Sequence, residues 1–125
     1  MDCSPRYGSE INNNMNENEV LRKSDVSIAT SGDNTIIAAP TTAGNYLAID
    51  FISLLPTTAV AVQFKSGTTA YGGSLPLDTK QALTWENAMR NVRGVITCAP
   101  NEAFVINLGG NVQVGGLIRY REVGN

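Results

Sequence analysis

The stretch "VAVQFKSGTTAYGGSLPL", residues 60–77, decides between two readings of the chain. Its first half alternates. Val60, Val62 and Phe64 share one side and Ala61, Gln63 and Lys65 the other, the period of a half-buried strand. Then come Ser66-Gly67-Thr68-Thr69 and Gly72-Gly73-Ser74. Glycines with hydroxyl neighbours can cradle a phosphate or can turn a chain between strands. A phosphate loop has the order G-x-x-x-x-G-K-[ST], with a helix behind it. Gly67 and Gly72 have that spacing, but Gly73 stands where the lysine must be, and Pro76 follows in "SLPL", a poor start for a helix. The stretch therefore reads as a turn between Phe64 and Leu75, with the glycines supplying backbone freedom.

The same period extends outward in both directions. "SDVSIAT" alternates Val26, Ile28 and Thr30; Ser31-Gly32-Asp33-Asn34 reads as a turn cluster; "TIIAA" runs into Pro40. "YLAIDFISLL" sets Leu47, Ile49, Phe51 and Leu55 on one face, and Tyr46, Ala48, Ile52 and Leu54 with Asp50 on the other. Both faces are largely apolar, which predicts a strand covered on both sides. Towards the end, "AFVINL" offers Phe104, Ile106 and Leu108, and Gly109-Gly110-Asn111 is a hairpin signal. In "VQVGGLIRYREV", Val112, Val114, Ile118 and Tyr120 share a face, opposite Gln113, Leu117, Arg119 and Arg121. Gly115-Gly116 in mid-strand predicts a bulge or a close backbone approach. Only "WENAMRNV", residues 85–92, offers a helical turn. Short strands separated by turn clusters predict an all-β fold, a β-sandwich of jelly-roll-like form over residues 26–125.

Residues 1–25 differ in composition. "EINNNMNENEVLRKSD" is rich in Asn and Glu, with sparse apolar residues Ile11, Met15, Val20 and Leu21. Such a segment buries too little surface to offset its ordering entropy alone. The expectation is an extended N-terminal arm that orders on a partner, with Arg6, Tyr7, Ile11, Met15, Val20 and Leu21 as anchors.

Composition narrows function. Charged residues are 16% of the 125, against about 25% in an average soluble domain. Much of the polar surface is then Thr, Ser, Asn and Gly, weakly hydrated and readily buried against another subunit, so a homo-oligomer is expected. A formal charge of −2 without a basic stripe argues against nucleic acid. No apolar run reaches the ~18 residues of a membrane helix. The N-terminus reads as lacking a secretory signal, and Cys3 and Cys98, unmatched by spacing, read as reduced thiols.

Chemistry finds few footholds. The chain has no histidine, which removes the commonest general base and metal ligand. Lys65 and Ser66 are adjacent, so in a strand they point to opposite faces. Asp78, Glu86 and Glu102 lack the dense spacing of a calcium loop. Cys98 in "VITCA" reads as a small core residue, and Trp85 as a core or interface anchor. Asp50 reads as paired with an arginine or facing a subunit boundary. Arg119 and Arg121 suit a subunit contact or a solvated face. Asp50, Ile52, Arg119 and Arg121 are the candidate subunit-interface residues. No enzymatic activity, cofactor or metal is expected.

Several of these segments also carry a resemblance. A strand ending Phe64-Lys65-Ser66-Gly67-x-Thr69, the step Leu75-Pro76-Leu77, the strand end Ile106-Asn107-Leu108, and Val112-x-Val114-Gly115-Gly116 running to Tyr120, Glu122 and Val123 resemble small β-sandwich virion proteins of tailed bacteriophages. These occur as capsid decoration or cement proteins and as head or tail fibre domains. The family often has an Asn-Gly-Gly step and a Gly-Trp-Phe step mid-chain, where this chain has Lys80-Gln81-Ala82 and "NAMRNVRG". The resemblance implies a non-enzymatic virion protein, commonly trimeric. It would sit on the capsid surface and clamp neighbouring copies of the major capsid protein. The other role it implies is a head or tail fibre module that binds a host-surface glycan, for which Trp85, Tyr71 and Tyr46 are the candidate aromatics.

Overall fold

In the computed structural model, which describes residues 20–88 and 93–124, the alternating segments become nine strands. They are β1 (Arg22–Ile28), β2 (Gly32–Ile37), β3 (Tyr46–Pro56), β4 (Val60–Ser66), β5 (Thr69–Leu77), β6 (Leu83–Glu86), β7 (Ile96–Thr97), β8 (Phe104–Leu108) and β9 (Val114–Val123). No helix occurs among the described residues. All pairings among the described residues are antiparallel.

One sheet has the order β1-β9-β3-β6, with β7 also on β3; the other has the order β2-β8-β4-β5. β6 pairs with residues 51–54 of β3, and β7 pairs with Ala48 and Ile49 of the same strand. They are two halves of one edge strand, interrupted by the excursion 87–95. Counted as one, they leave eight strands in two four-stranded sheets, with the chain crossing between sheets at nearly every connection. That is the double-sheet jelly roll.

The core is the set of inward positions of both sheets. Phe64, Phe104, Leu47, Ile49, Ile52, Leu54, Ile96, Ile106, Leu108 and Ile118 are all almost fully buried. Phe64 of β4 meets Trp85 of β6 edge to face at 5.1 Å and stacks on Phe104 at 5.9 Å. The aromatic cluster thus joins the two sheets, an arrangement that adds to simple area burial.

Four local expectations change. First, β3 is covered on both sides only in its first half, where Leu47, Ala48 and Ile49 are all buried, and its two faces are not those an unbroken alternation gives. The register against β9 shifts between Arg119 opposite Phe51 and Tyr120 opposite Ile49. Asp50 is the extra residue of a β-bulge, and it switches the phase of the strand. Leu47 and Ile49 point inward before it, Ile52 and Leu54 after it, while Phe51 and Leu55 turn outward. Second, Gly109-Gly110-Asn111 is no hairpin: β8 and β9 lie in different sheets, so this segment crosses between them. Third, Ser31-Gly32-Asp33-Asn34 is not all turn, because β2 starts at Gly32 and carries Asp33 and Asn34 in register with Asn107 and Ile106. Fourth, β1 starts at Arg22, inside the expected arm, and Lys23 opposes Arg119 as a strand residue. The expected helical stretch 85–92 begins as strand at Trp85 and Glu86; residues 89–92 lie outside the described residues.

Gly115-Gly116 marks a close approach rather than a bulge. A Cβ on Gly116 would overlap the Ser53 carbonyl oxygen, so only glycine fits where β9 meets β3.

Candidate functional site

β4 and β5 are joined by Gly67 and Thr68 alone, since Ser66 pairs with Thr69. Gly67 has φ +58°, the positive angle a type II′ hairpin turn asks of its first central residue. Its amide donates to the Ala103 carbonyl at 2.8 Å. Gly72, Gly73 and Ser74 lie further along, in the returning strand. There three residues oppose Gln63 alone, whose side-chain amide donates to the Gly72 carbonyl at 3.1 Å. The segment is a tight turn followed by a bulged, exposed edge strand.

Three polar nodes hold the loops. The first is at the β3 bulge. The Asp50 carboxylate accepts from Arg121 Nε at 2.6 Å and Nη2 at 3.0 Å, and from Asn87 Nδ2 at 2.9 Å. The Asp50 carbonyl also accepts the Asn87 amide at 2.8 Å. The node therefore pins the point where β6 leaves the sheet. The two side chains of the ion pair are only 10% and 16% exposed, and the two-bond fork gives the geometry that makes such a pair strong. The second node joins β4 to the loop before β8. The Ser66 hydroxyl donates to Glu102 Oε1 at 2.7 Å and accepts the Ala99 amide at 2.9 Å. A carboxylate is a weak base towards a hydroxyl of far higher pKa, and Ser66 is buried, so this pair acts as a tie between segments. Cys98 lies beside it in the core. Burial pushes its thiol from 9.0 to about 11, the opposite of an activated thiolate. The third node crosses the outer face of the second sheet. Asp33 accepts from Asn107 at 2.7 Å and from Lys65 at 2.9 Å, and these hydrogen bonds, Asn107 first, hold its carboxyl below 3.8.

The expected site residues separate accordingly. Ile52, expected at a subunit interface, is a core residue with 0% exposure, because the bulge turns it inward. Asp50 and Arg121 lie on the outer side of the first sheet, but each is engaged by the other within one chain. Arg119 stays exposed and has no ion-pair partner among the described residues. Of the arm anchors, Val20 and Leu21 are 50% and 44% exposed; Arg6, Tyr7, Ile11 and Met15 lie outside the described residues. Trp85 packs against the core, while Tyr71 is exposed and Tyr46 lies under Arg93 at 5.8 Å. Among the described residues no cluster of His, Cys, Asp and Glu could hold a metal ion. The arginine partner expected for Asp50 is Arg121, 71 residues away, while nothing in the periodicity indicated the Ser66 node, whose carboxylate partner is 36 residues away.

No protein-family model matches the chain, and no curated protein is similar to it. A solved structure similar to it comes from work titled "Bacillus endospore appendages form a novel family of disulfide-linked pili". It is 15% identical, with 94% of this chain and 100% of that chain covered and a TM-score of 0.47. A likeness of that size carries no functional argument.

Proposed function

We propose that this chain is a structural virion protein that binds the outer surface of a bacteriophage capsid and ties neighbouring major capsid protein subunits together. The observation that supports this reading is the way the N-terminal segment joins the sandwich. It enters at β1, an edge strand of the first sheet, with Val20 and Leu21 exposed just before it. A segment attached there can reach a neighbouring subunit without unpairing any strand. The segments that resemble phage decoration proteins fall on β4, β5, β8 and β9, the framework of both sheets.

Cementing works by mass action. A protein that binds only the assembled shell stabilises it by RT ln(1+[L]/Kd) per site. An oligomer, a trimer in the proteins it resembles, adds multivalency, because each bound arm holds the next near its site. The full chain should co-sediment with capsids that lack it and raise their disruption temperature. Capsids that neither bind it nor gain heat resistance would overturn this reading.

A further inference from the structure

The outer face of the first sheet presents three rows of residues, fixed by the strand registers, the first of them without a member on β6. Ser27, Gly115 and Leu55 form one; Asp25, Leu117, Ser53 and Thr84 form the next; Lys23, Arg119, Phe51 and Glu86 form the third. All eleven are exposed or half-buried, whereas Ile52 and Leu54 on β3 and Ile118 on β9, which lie between them, are core; Gly116, without a side chain, is exposed. Leu55 stands out at 50% exposure. Beside it on the next strand is Gly115, where an added Cβ would meet nothing nearer than the Val26 carbonyl at 3.9 Å. The face therefore has an apolar knob and, one strand away in the same row, an open notch.

We infer that this face binds a second copy of the chain, about a two-fold axis running along the strands between β9 and β3. Such an axis keeps the rows and exchanges β9 with β3 and β1 with β6. Leu55 of each copy then fills the notch at Gly115 of the other. Arg119 lies over the Phe51 ring, a favourable cation–π arrangement, and Leu117 lies over Ser53. At the rims, Lys23 meets Glu86. One operation thus matches the knob to the notch, Arg119 to Phe51, and Lys23, which within its own chain lies 3.5 Å from Asp25, to Glu86, and it does so twice, as an isologous interface requires. Stacked sheets pack about 10 Å apart with a twist near 30°, which displaces the rims, and the long Lys23 and Glu86 side chains span that displacement. With strands about 4.8 Å apart and about 3.4 Å per residue, the pair buries on the order of 1,000 Å² in total, the low end for specific interfaces. Area does not fix affinity, but an interface this small belongs with weak, reversible pairs, so association is to be sought in the micromolar range. This inference does not rest on the capsid reading. A dimer alone can seat on a two-fold position of any lattice, and combined with a three-fold contact through another face it gives a hexamer.

The test is sedimentation equilibrium of the full chain from about 1 to 500 µM, the range a micromolar dimer requires. The expected result is a concentration-dependent rise in mass from 13.3 kDa in steps of two. Gly115→Val, which fills the notch, and Leu55→Asp, which removes the knob, should each weaken association at least tenfold with unchanged circular dichroism. A charge exchange gives a signature that folding defects cannot imitate. Lys23 and Glu86 lie on opposite edges of one sheet, with β9 and β3 between them. Lys23→Glu or Glu86→Lys alone should weaken the dimer, and the two together should restore it, which only a contact between copies explains. A monomer at every concentration would overturn the inference. So would an oligomer indifferent to Gly115→Val and Leu55→Asp, or a double exchange no better than the singles.

Discussion

Asp50 and Arg121 form a two-bond ion pair, at 2.6 and 3.0 Å, at the position where β3 carries its extra residue. The bulge and the pair depend on each other. The inserted residue turns its carboxylate to the outer side of the sheet, and the guanidinium from β9 satisfies it there. Removing one partner leaves a largely buried charge, at a cost of about 3 kcal/mol. Arg121→Met should therefore lower the melting temperature by roughly 10 °C. Asp50→Leu added to it should recover most of the loss, since the second change removes the orphaned carboxylate. Thermal unfolding followed by circular dichroism checks this. A single variant that melts within a degree of the parent would show that the pair holds nothing.

Adjacent glycines in β9 should respond in opposite ways. Gly116→Ala places a methyl group on the Ser53 carbonyl oxygen and cannot be accommodated without opening the β3–β9 pairing. It should fail to fold or melt at least 10 °C lower. Gly115→Ala meets open space and should be neutral or stabilising by about 0.5 kcal/mol, through the entropy it removes from the unfolded chain. Chemical denaturation of the two variants side by side reads the contrast, and equal effects would contradict the register described here.

Cys98 gives an alkaline signature. Its thiol is raised in the folded chain from 9.0 to about 11, so the native state holds the proton more tightly than the unfolded state. The corresponding stability is present in full below pH 9.0 and is lost as pH rises towards 11. It amounts to roughly 2–3 kcal/mol. Cys98→Ala should be less stable at neutral pH, because it leaves a small cavity, but should lose less between pH 9 and 11. Denaturation midpoints of parent and variant across that range give the comparison. Parallel curves would mean that the thiol does not titrate differently on folding.

The N-terminal segment can be removed only as far as the structure allows. Deleting residues 1–24 would take Arg22, Lys23 and Ser24 out of β1, where they pair with Tyr120, Arg119 and Ile118. Deleting 1–19 spares every strand among the described residues. That shorter truncation should keep the parent's β-sheet circular dichroism and melt within a few degrees of it, while losing its hold on capsids. A truncated chain that binds shells as tightly as the full one would contradict the arm's role.

Much of this fold was legible in the sequence. Val60, Val62 and Phe64 alternate cleanly because β4 is regular and half-buried, and that alternation carried over to the structure unchanged. β3 was misread because a single inserted residue is invisible to a period of two: Phe51 and Ile52 exchange faces at the bulge, and only the pairing partner shows it. Gly109-Gly110-Asn111 was misread for a related reason. Turn chemistry reports that the chain bends, not which sheet the next strand joins. A carboxylate in an apolar strand pointed to an arginine partner for Asp50 but not to which one, and the tie at Ser66 was out of reach, because hydrogen bonds across 71 and 36 residues leave no local pattern. The outer face with Leu55 and Gly115 needed the register as well, since the two residues are neighbours only through β3–β9 pairing.

A protein seated at repeated sites on the capsid surface is present in many copies per particle, and that number can be counted. Particles purified from cells expressing the chain at its native level would be analysed by quantitative mass spectrometry against the major capsid protein. The expected result is about one copy for every one to three capsid subunits, since stabilisation by binding acts at every lattice site that is filled. A few copies per particle would point to a fibre or tail component, and absence from the particle would contradict the account.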